Sequence, residues 1–247
     1  MTADKRVALI TGGSRGIGLG IARRLAEQGY SLTITARNSE TLDAAAAQLR
    51  EDGAEAVATV AADLAKEGAA EAILKEHART FDVLDILILN AGVGTAGQIA
   101  DFPIHRFGKT LDVNLRAPFE ILQQAIPFLR DSAARNPDNG AKVVALSSMT
   151  GIYAEAGLAV YGAAKAAMIS LVETLNAEEN QHGIAATAIA PGYVETDMSA
   201  WATDTIPAEI MIDVKDIVEL VDGVLRLSAR AVVPRIVVAR SKSPYQA

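Results

Sequence analysis

The chain has 247 residues, half of them hydrophobic and only 4% aromatic, with a formal net charge of -7 and no cysteine. That length is ample for one sizeable buried core, and the acidic balance argues against nucleic acid, an anionic membrane surface or an acidic carrier protein as partner. The absence of cysteine excludes disulfides and thiolate metal sites and fits a reducing, cytoplasmic setting; the first apolar run is too short for a secretion signal, and nothing approaches the ~20 apolar residues of a membrane span.

Apolar, β-branched runs alternate with helical patterns from start to finish. Strands are predicted at 6–11, 31–36, 56–62, 84–90, 141–148, 184–190 and 235–240. Their apolar character is nearly continuous, as strands covered by helices on both faces require. Ala/Leu-rich helical segments lie between them; 17–28 and 40–52 stop at Gly29 and Gly53, glycine being a cheap left-handed terminator. A longer helical stretch, 104–135, is interrupted by Pro118 and Pro127. Residues 192–212 read as neither helix nor strand. The alternation predicts an α/β fold: a single Rossmann-type doubly wound domain over 1–247, with a seven-stranded, mainly parallel sheet and helices on both faces. The irregular segment at about 193–212 is expected to be a substrate lid over the carboxyl ends of the strands.

The first strand runs into "TGGSRGIG" (11–18), where Gly12, Gly13, Gly16 and Gly18 precede an amphipathic helix. Glycines there let the backbone turn sharply and approach a pyrophosphate, whose charge meets the helix amino terminus. A second match to the same spacing, "GVGTAG" (92–97), is followed by "QIADFP" and no helical pattern, so it is rejected as a dinucleotide site. The second strand ends in Ala36, Arg37 and Asn38 rather than an acidic residue. An acid there would hydrogen-bond the ribose hydroxyls and repel a 2′-phosphate; Arg37, with Arg15 of the glycine turn, would instead pair with that phosphate. NADP(H) is therefore favoured over NAD(H).

Seven pieces, in order, resemble the short-chain dehydrogenases/reductases in their single-domain form: "TGGSRGIG" (11–18), "AADL" (61–64), "NAG" (90–92), "DVNL" (112–115), "LSS" (146–148), "YGAAK" (161–165) and "PGYVETDM" (191–198). The resemblance covers essentially the whole chain. It implies cofactor contacts at Gly12, Ser14, Arg15, Gly16, Ile17, Gly18, Arg37 and Asn38. Asp63 and Leu64 would flank the adenine, and Asn90, Ala91 and Gly92 would line the crevice. Pro191, Gly192, Val194 and Thr196 would meet the nicotinamide half, with Tyr161 and Lys165 touching the cofactor as well. It also implies the catalytic set Asn114, Ser148, Tyr161 and Lys165, and a homodimer or homotetramer formed through the last strand and the 158–182 helix.

The chemistry of that set can be argued from the side chains. A tyrosine phenol in water loses its proton only near pH ~10 and is a poor acid or base at neutral pH. Lys165 lies at i+4 from Tyr161 on one helix face, and its charge, with that of the nicotinamide ring of the oxidised cofactor, is expected to move the phenol toward the working range. Ser148 would hold the substrate oxygen beside it. Asn114 lies four residues before Pro118, which has no amide hydrogen to give, so its carbonyl is expected to be free for a water relaying protons from Lys165. The expected activity is an NADPH-dependent interconversion of a carbonyl and a secondary alcohol, on a small-molecule substrate. The rivals are an NAD-dependent alcohol dehydrogenase of the same fold and a non-catalytic NADP-binding regulator.

Two further readings concern specificity. The chain ends "VVPRIVVARSKSPYQA", without the glycines that follow the last strand in many 3-oxoacyl-carrier-protein reductases, which counts against a carrier-protein substrate. Met198, Trp201, Ile206 and Met211 are expected to pack in the lid or face an apolar substrate. His77, His105 and His182 are scattered without ligand spacing, are expected at the surface or at helix ends, and give no metal site.

Overall fold

A computed structural model describes residues 6–241, so the final "KSPYQA" of the carboxy-terminal reading lies outside the described residues. In chain order the elements are β1 (Val7–Thr11), α1 (Gly16–Glu27), β2 (Ser31–Ala36), α2 (Ser39–Glu51), β3 (Ala56–Ala61), α3 (Ala69–Thr80) and β4 (Ile86–Leu89). They continue with α4 (Ile104–Leu111), α5 (Ala117–Arg135), β5 (Ala141–Leu146), α6 (Ala159–Glu179), β6 (Ile184–Pro191), α7 (Val214–Leu225) and β7 (Arg235–Val238). Short 3-10 turns fill several of the connections.

The seven strands form one parallel sheet in the order β3-β2-β1-β4-β5-β6-β7. The order reverses between β1 and β4, the switch point outside which such sheets hold ligands. Strand period two divides the core into two layers. Ile86 and Ile88 of β4 join Ala8 and Ile10 of β1 under α1, α2 and α7, whereas Leu87 and Leu89 join Leu9 and Val143 under α3, α5 and α6. That double covering explains why the strands read as unbroken apolar runs.

The two prolines of the long helical stretch behave differently from the expected interruptions. A five-residue π-helical turn, Asp112–Arg116, sits between α4 and α5, with the Ala117 amide donating to the Asp112 carbonyl. Pro118 then falls in the first turn of α5, where a missing amide costs little. Pro127 lies inside α5, and the helix runs through it. An interior proline costs about 3 kcal/mol or more; burial of Ile121, Leu122, Ala125 and Leu129 on both sides of it holds the helix together.

Candidate active site

Thr11 ends β1 with its hydroxyl between the two switch-point strands: it donates to the Ile88 carbonyl (3.3 Å) and accepts from the amides of Asn90 and Ala91 (3.0 Å each). Asn90 returns the contact, its Nδ2 donating to the carbonyls of Thr11 (2.9 Å) and Gly12 (3.1 Å). The glycine turn is thus clamped to the end of β4. Gly12 and Gly16 have φ of 68° and 53°, a region that glycine alone enters without strain. A Cβ on Gly18 would collide with the Gly12 carbonyl, so helix and turn touch backbone to backbone. The α1 amino terminus has no side-chain cap and no acidic residue in its first turn. Uncapped amides beside a glycine turn fit a pyrophosphate.

The remaining residues expected around a nucleotide are distributed as follows. Ser14 and Ile17 are partly exposed on the turn. Arg37 stands exposed just past β2 and makes no ion pair among the described residues. Asn38 caps α2, its Oδ1 accepting from the Thr41 amide at 2.9 Å. Asp63 folds its own loop by accepting from the Ala65 amide (3.1 Å), and Leu64 is buried in the core. Val194 is buried too, so backbone is what it offers a ligand, while Thr196 lies over the turn, 3.4 Å from where a Cβ on Gly16 would be.

Two strands further along, β5 ends at Leu146 and presents Ser147 and Ser148 toward α6. Ser147 Oγ donates to the Lys165 carbonyl at 2.8 Å, and a Cβ on Gly151 would be 2.7 Å from the Lys165 carbonyl carbon. This close packing is what the small residues of the α6 segment allow, and it brings Ser148, Tyr161 and Lys165 together. Ser148 Oγ accepts from the Thr150 amide (3.2 Å) and hydroxyl (3.0 Å) and lies near enough to Tyr161 to favour its phenolate. Lys165 is 4% exposed, donates to the Leu146 carbonyl (2.7 Å), and holds its ammonium 5.7 Å from the centroid of the Tyr161 ring.

Burial pushes Tyr161 up to about 12, with only a lesser opposing effect from Ser148. Burial likewise lowers Lys165 to about 8. The charge of the lysine therefore does not bring the phenol down in the protein by itself, because desolvation of the phenolate dominates and the ammonium is engaged by a carbonyl. At neutral pH Tyr161 is a phenol, the form that donates a proton.

Asn114 is fully buried and its side chain is committed: Oδ1 accepts from the Val93 amide (3.1 Å), and Nδ2 donates to the carbonyls of Val93 and Thr110 (3.0 Å each). It holds the loop after β4 in place. A Cβ on Gly92 would be 2.9 Å from Asn114 Oδ1 and 3.5 Å from Lys165 Nζ, so both residues border the same narrow space.

Comparison with known proteins identifies the family. The family model for short chain dehydrogenases matches residues 6–206. The chain belongs to that family. An uncharacterised oxidoreductase of Staphylococcus epidermidis is 31% identical over 79% of this chain and 80% of its own length. Among solved structures, the alcohol dehydrogenase of Thermococcus sibiricus, complexed with 5-hydroxy-NADP, superposes with a TM-score of 0.86 at 27% identity over 99% of each chain. The 3-oxoacyl-[acyl-carrier protein] reductase of Brucella melitensis, in complex with NAD, gives 0.86 at 28% identity over 96% of each chain.

In this short-chain dehydrogenase the segment after β6 is pinned at its neck. Val194 and Ile212 form a parallel bridge, with Glu195 N–H donating to the Ile212 carbonyl and Ile212 N–H to the Tyr193 carbonyl (2.9 Å each). Between them lie two 3-10 turns, Asp197–Ala202 and Ala208–Ile210. Met198, Trp201 and Ile210 are exposed; Ile206 and Met211 are partly buried. Asp197 pairs with Arg15 at 2.9 Å, so the arginine of the glycine turn already has an anionic partner. Tyr193 donates to Glu155 (2.6 Å) and packs edge-on against Trp201. The contact between Glu155 and Tyr193 is not legible in the sequence, since no spacing rule connects position 155 to 193. Thr11 escapes the sequence reading too, although a threonine directly before a glycine turn is a usable signal. His105 and His182 are exposed as expected. His77 is in the last turn of α3 yet fully buried, because Thr33 Oγ1 (2.8 Å) and the Val83 carbonyl (3.0 Å) satisfy both ring nitrogens.

Proposed function

We propose that the protein is an NADPH-dependent oxidoreductase that interconverts a carbonyl and a secondary alcohol, with Tyr161 as the proton donor and acceptor. The observation that carries this reading is the convergence of Tyr161, Lys165 and Ser148 beside the clamped glycine turn. The turn, the α1 amino terminus, Asn90 and Gly92 would hold the dinucleotide, and Lys165 would reach its ribose. When bound, the nicotinamide supplies or accepts the hydride.

Every other part of the reaction falls to side chains. Ser148 orients the carbonyl oxygen, and Tyr161, held as a phenol by its surroundings, gives that oxygen its proton. Lys165 then favours the phenolate that remains. Asn114 acts through its main chain: its carbonyl, with Pro118 as the residue that would otherwise donate to it, takes a water that links Lys165 to solvent. Its side chain positions Val93. Residues 193–212 act as the substrate lid.

Arg37, exposed at the end of β2 and without an ion pair among the described residues, supports the preference for NADPH. The pairing of Arg15 with Asp197 favours the second reading, NAD, since it removes one of the two arginines. The half-exposed edge strand β7 and the outward Ala159, Ala163 and Ala166 of α6 support a homo-oligomer, and the absence among the described residues of a helix long and apolar enough to cross a membrane is compatible with a cytoplasmic enzyme.

Replacing Tyr161 with Phe tests the reading. Turnover of a ketone should fall at least about a hundredfold while the NADPH dissociation constant stays within a few-fold of wild type. Undiminished turnover in that variant removes the proton donor from the mechanism.

A further inference from the structure

We propose that Glu155 and Tyr193 form the specificity-determining element of the substrate side: a hydrogen-bonded carboxylate near Tyr161 that favours carbonyl substrates bearing a cationic or hydrogen-bond-donating group and rejects those bearing a carboxylate. This inference rests on the reductase reading above and deepens it.

Three segments that leave the carboxyl ends of β4, β5 and β6 close on one another. The Gly97 amide donates to the Gly157 carbonyl at 2.8 Å, tying the first segment to the second. Cβ atoms on Gly94 and Gly192 would come within 3.5 Å of Met198 Cγ and 3.3 Å of Met149 Sδ, tying the third to each of the others. The segment after β5 also carries a carboxylate. Glu155 lies between Ser148 and Tyr161 in sequence, and Tyr193 follows the end of β6 by two residues.

Tyr193 Oη donates to Glu155 Oε1 at 2.6 Å, and its ring meets Trp201 edge-on with centroids 6.0 Å apart. Burial and the Glu155 carboxylate both push the Tyr193 phenol upward, so it remains a donor and orients the carboxylate without cancelling its charge. Tyr161 and Arg240 are both close enough for their charges to bear on Tyr193. Arg240 nevertheless makes no ion pair with Glu155, and Glu155 Oε2 accepts no hydrogen bond among the described residues.

An acceptor with a lone pair to spare in a partly desolvated wall rewards a donor on the substrate. Its charge discriminates between cation and anion more strongly than the same charge in water would. Trp201, packed edge-on against Tyr193, offers apolar surface to the remainder of such a substrate. The apolar pocket expected from the lid residues therefore has one polar wall.

The test uses three methyl ketones with the same two-carbon spacer, ending in a dimethylammonium, a methoxy or a carboxylate group. For the wild type with NADPH, the kcat/KM for the ammonium ketone should exceed that for the carboxylate ketone by at least about tenfold, mostly through KM. Glu155→Gln should bring that ratio to within about threefold, and Tyr193→Phe should reduce it by a smaller factor, because the carboxylate remains but is no longer oriented. Trp201, the single tryptophan, gives a readout independent of turnover: its emission should respond to the ammonium ketone at lower concentration in wild type than in Glu155→Gln. A ratio that Glu155→Gln leaves unchanged, or a uniform loss across all three ketones, overturns this inference alone. A wild type that binds NADPH yet reduces none of the three overturns the reductase reading with it.

Discussion

Along the β1–β4 side of the crevice the contacts are made by backbone, glycine and two short side chains, Thr11 and Asn90. Along the β5–β6 side they are made by long side chains carried on separate loops, such as Glu155, Tyr193, Met198 and Trp201. The first side has almost no freedom, because a clamped turn with two left-handed glycines admits one shape. The second can change one residue at a time without disturbing the sheet. Under the proposed function the first side would take the fixed shape of the dinucleotide and the second the variable substrate. Tyr161 and Lys165 lie between the two.

The contrast can be tested from its largest consequence downward. Lys165 is a buried base whose pKa is lowered from 10.5 to about 8. Between those values the unfolded chain keeps the proton and the folded chain has lost it, so stability should rise with pH, by about 3 kcal/mol across the window. Tyr161, raised from 10.0 to about 12, acts in the opposite direction above pH 10, where the unfolded chain loses its proton first. Denaturant unfolding at pH 8 and pH 10 should show a clearly larger rise in wild type than in Lys165→Met, where the buried Lys142 still contributes, and the variant should also be inactive; equal slopes in the two proteins would refute the buried-charge assignment.

Gly18→Ala comes next. Its Cβ would meet a backbone carbonyl that cannot move without unclamping the turn. Overpacking of this kind costs about 1–3 kcal/mol, and both thermal stability and NADPH affinity should drop together. Unchanged affinity would show that the turn is softer than its hydrogen bonds imply.

Arg37→Asp should reverse the cofactor preference, raising the NADPH dissociation constant by at least about tenfold while NADH is affected much less. Parallel titrations with both cofactors measure it, and equal losses for both would remove Arg37 from recognition of the 2′-phosphate. The smallest effect is assigned to Asp197→Asn. The Arg15–Asp197 pair is exposed, and such pairs contribute about 0–1 kcal/mol. NADPH affinity should improve no more than about fivefold, as Arg15 is released toward the phosphate; a fall in affinity would mean that the pair supports the site rather than competing for it.

The sheet, its layers and the glycine turn are readable in the sequence because each depends on local pattern. β4 alternates Ile and Leu between two cores, and Gly29 and Gly53 do follow helix ends. The Tyr161–Lys165 pair is readable for the same reason, being four residues apart on one helix. Other features are not. The spacing to Pro118 draws attention to the Asn114 carbonyl, but that the side chain is fastened to Val93 and Thr110 is a connection only packing reveals. Pro127 reads as an interruption, yet burial on both sides carries the helix through it. The lysine at i+4 suggests a charge that favours the phenolate, but the opposing desolvation of Tyr161 is not legible there, because how deeply a group is buried is a property of the whole fold.

What the amino-acid order determined by itself is the parallel sheet, the tight turn after β1 and the presence of a phenol and an amine on one helix face, all consequences of periodicity and backbone sterics over a few residues. What the tertiary structure decided is which groups meet across long gaps: Glu155 with Tyr193, Arg15 with Asp197, Asn90 with Gly12. It also decided how far burial shifts Tyr161 upward and Lys165 downward. Desolvation and long-range hydrogen bonds depend on distances in space, and no local pattern encodes them.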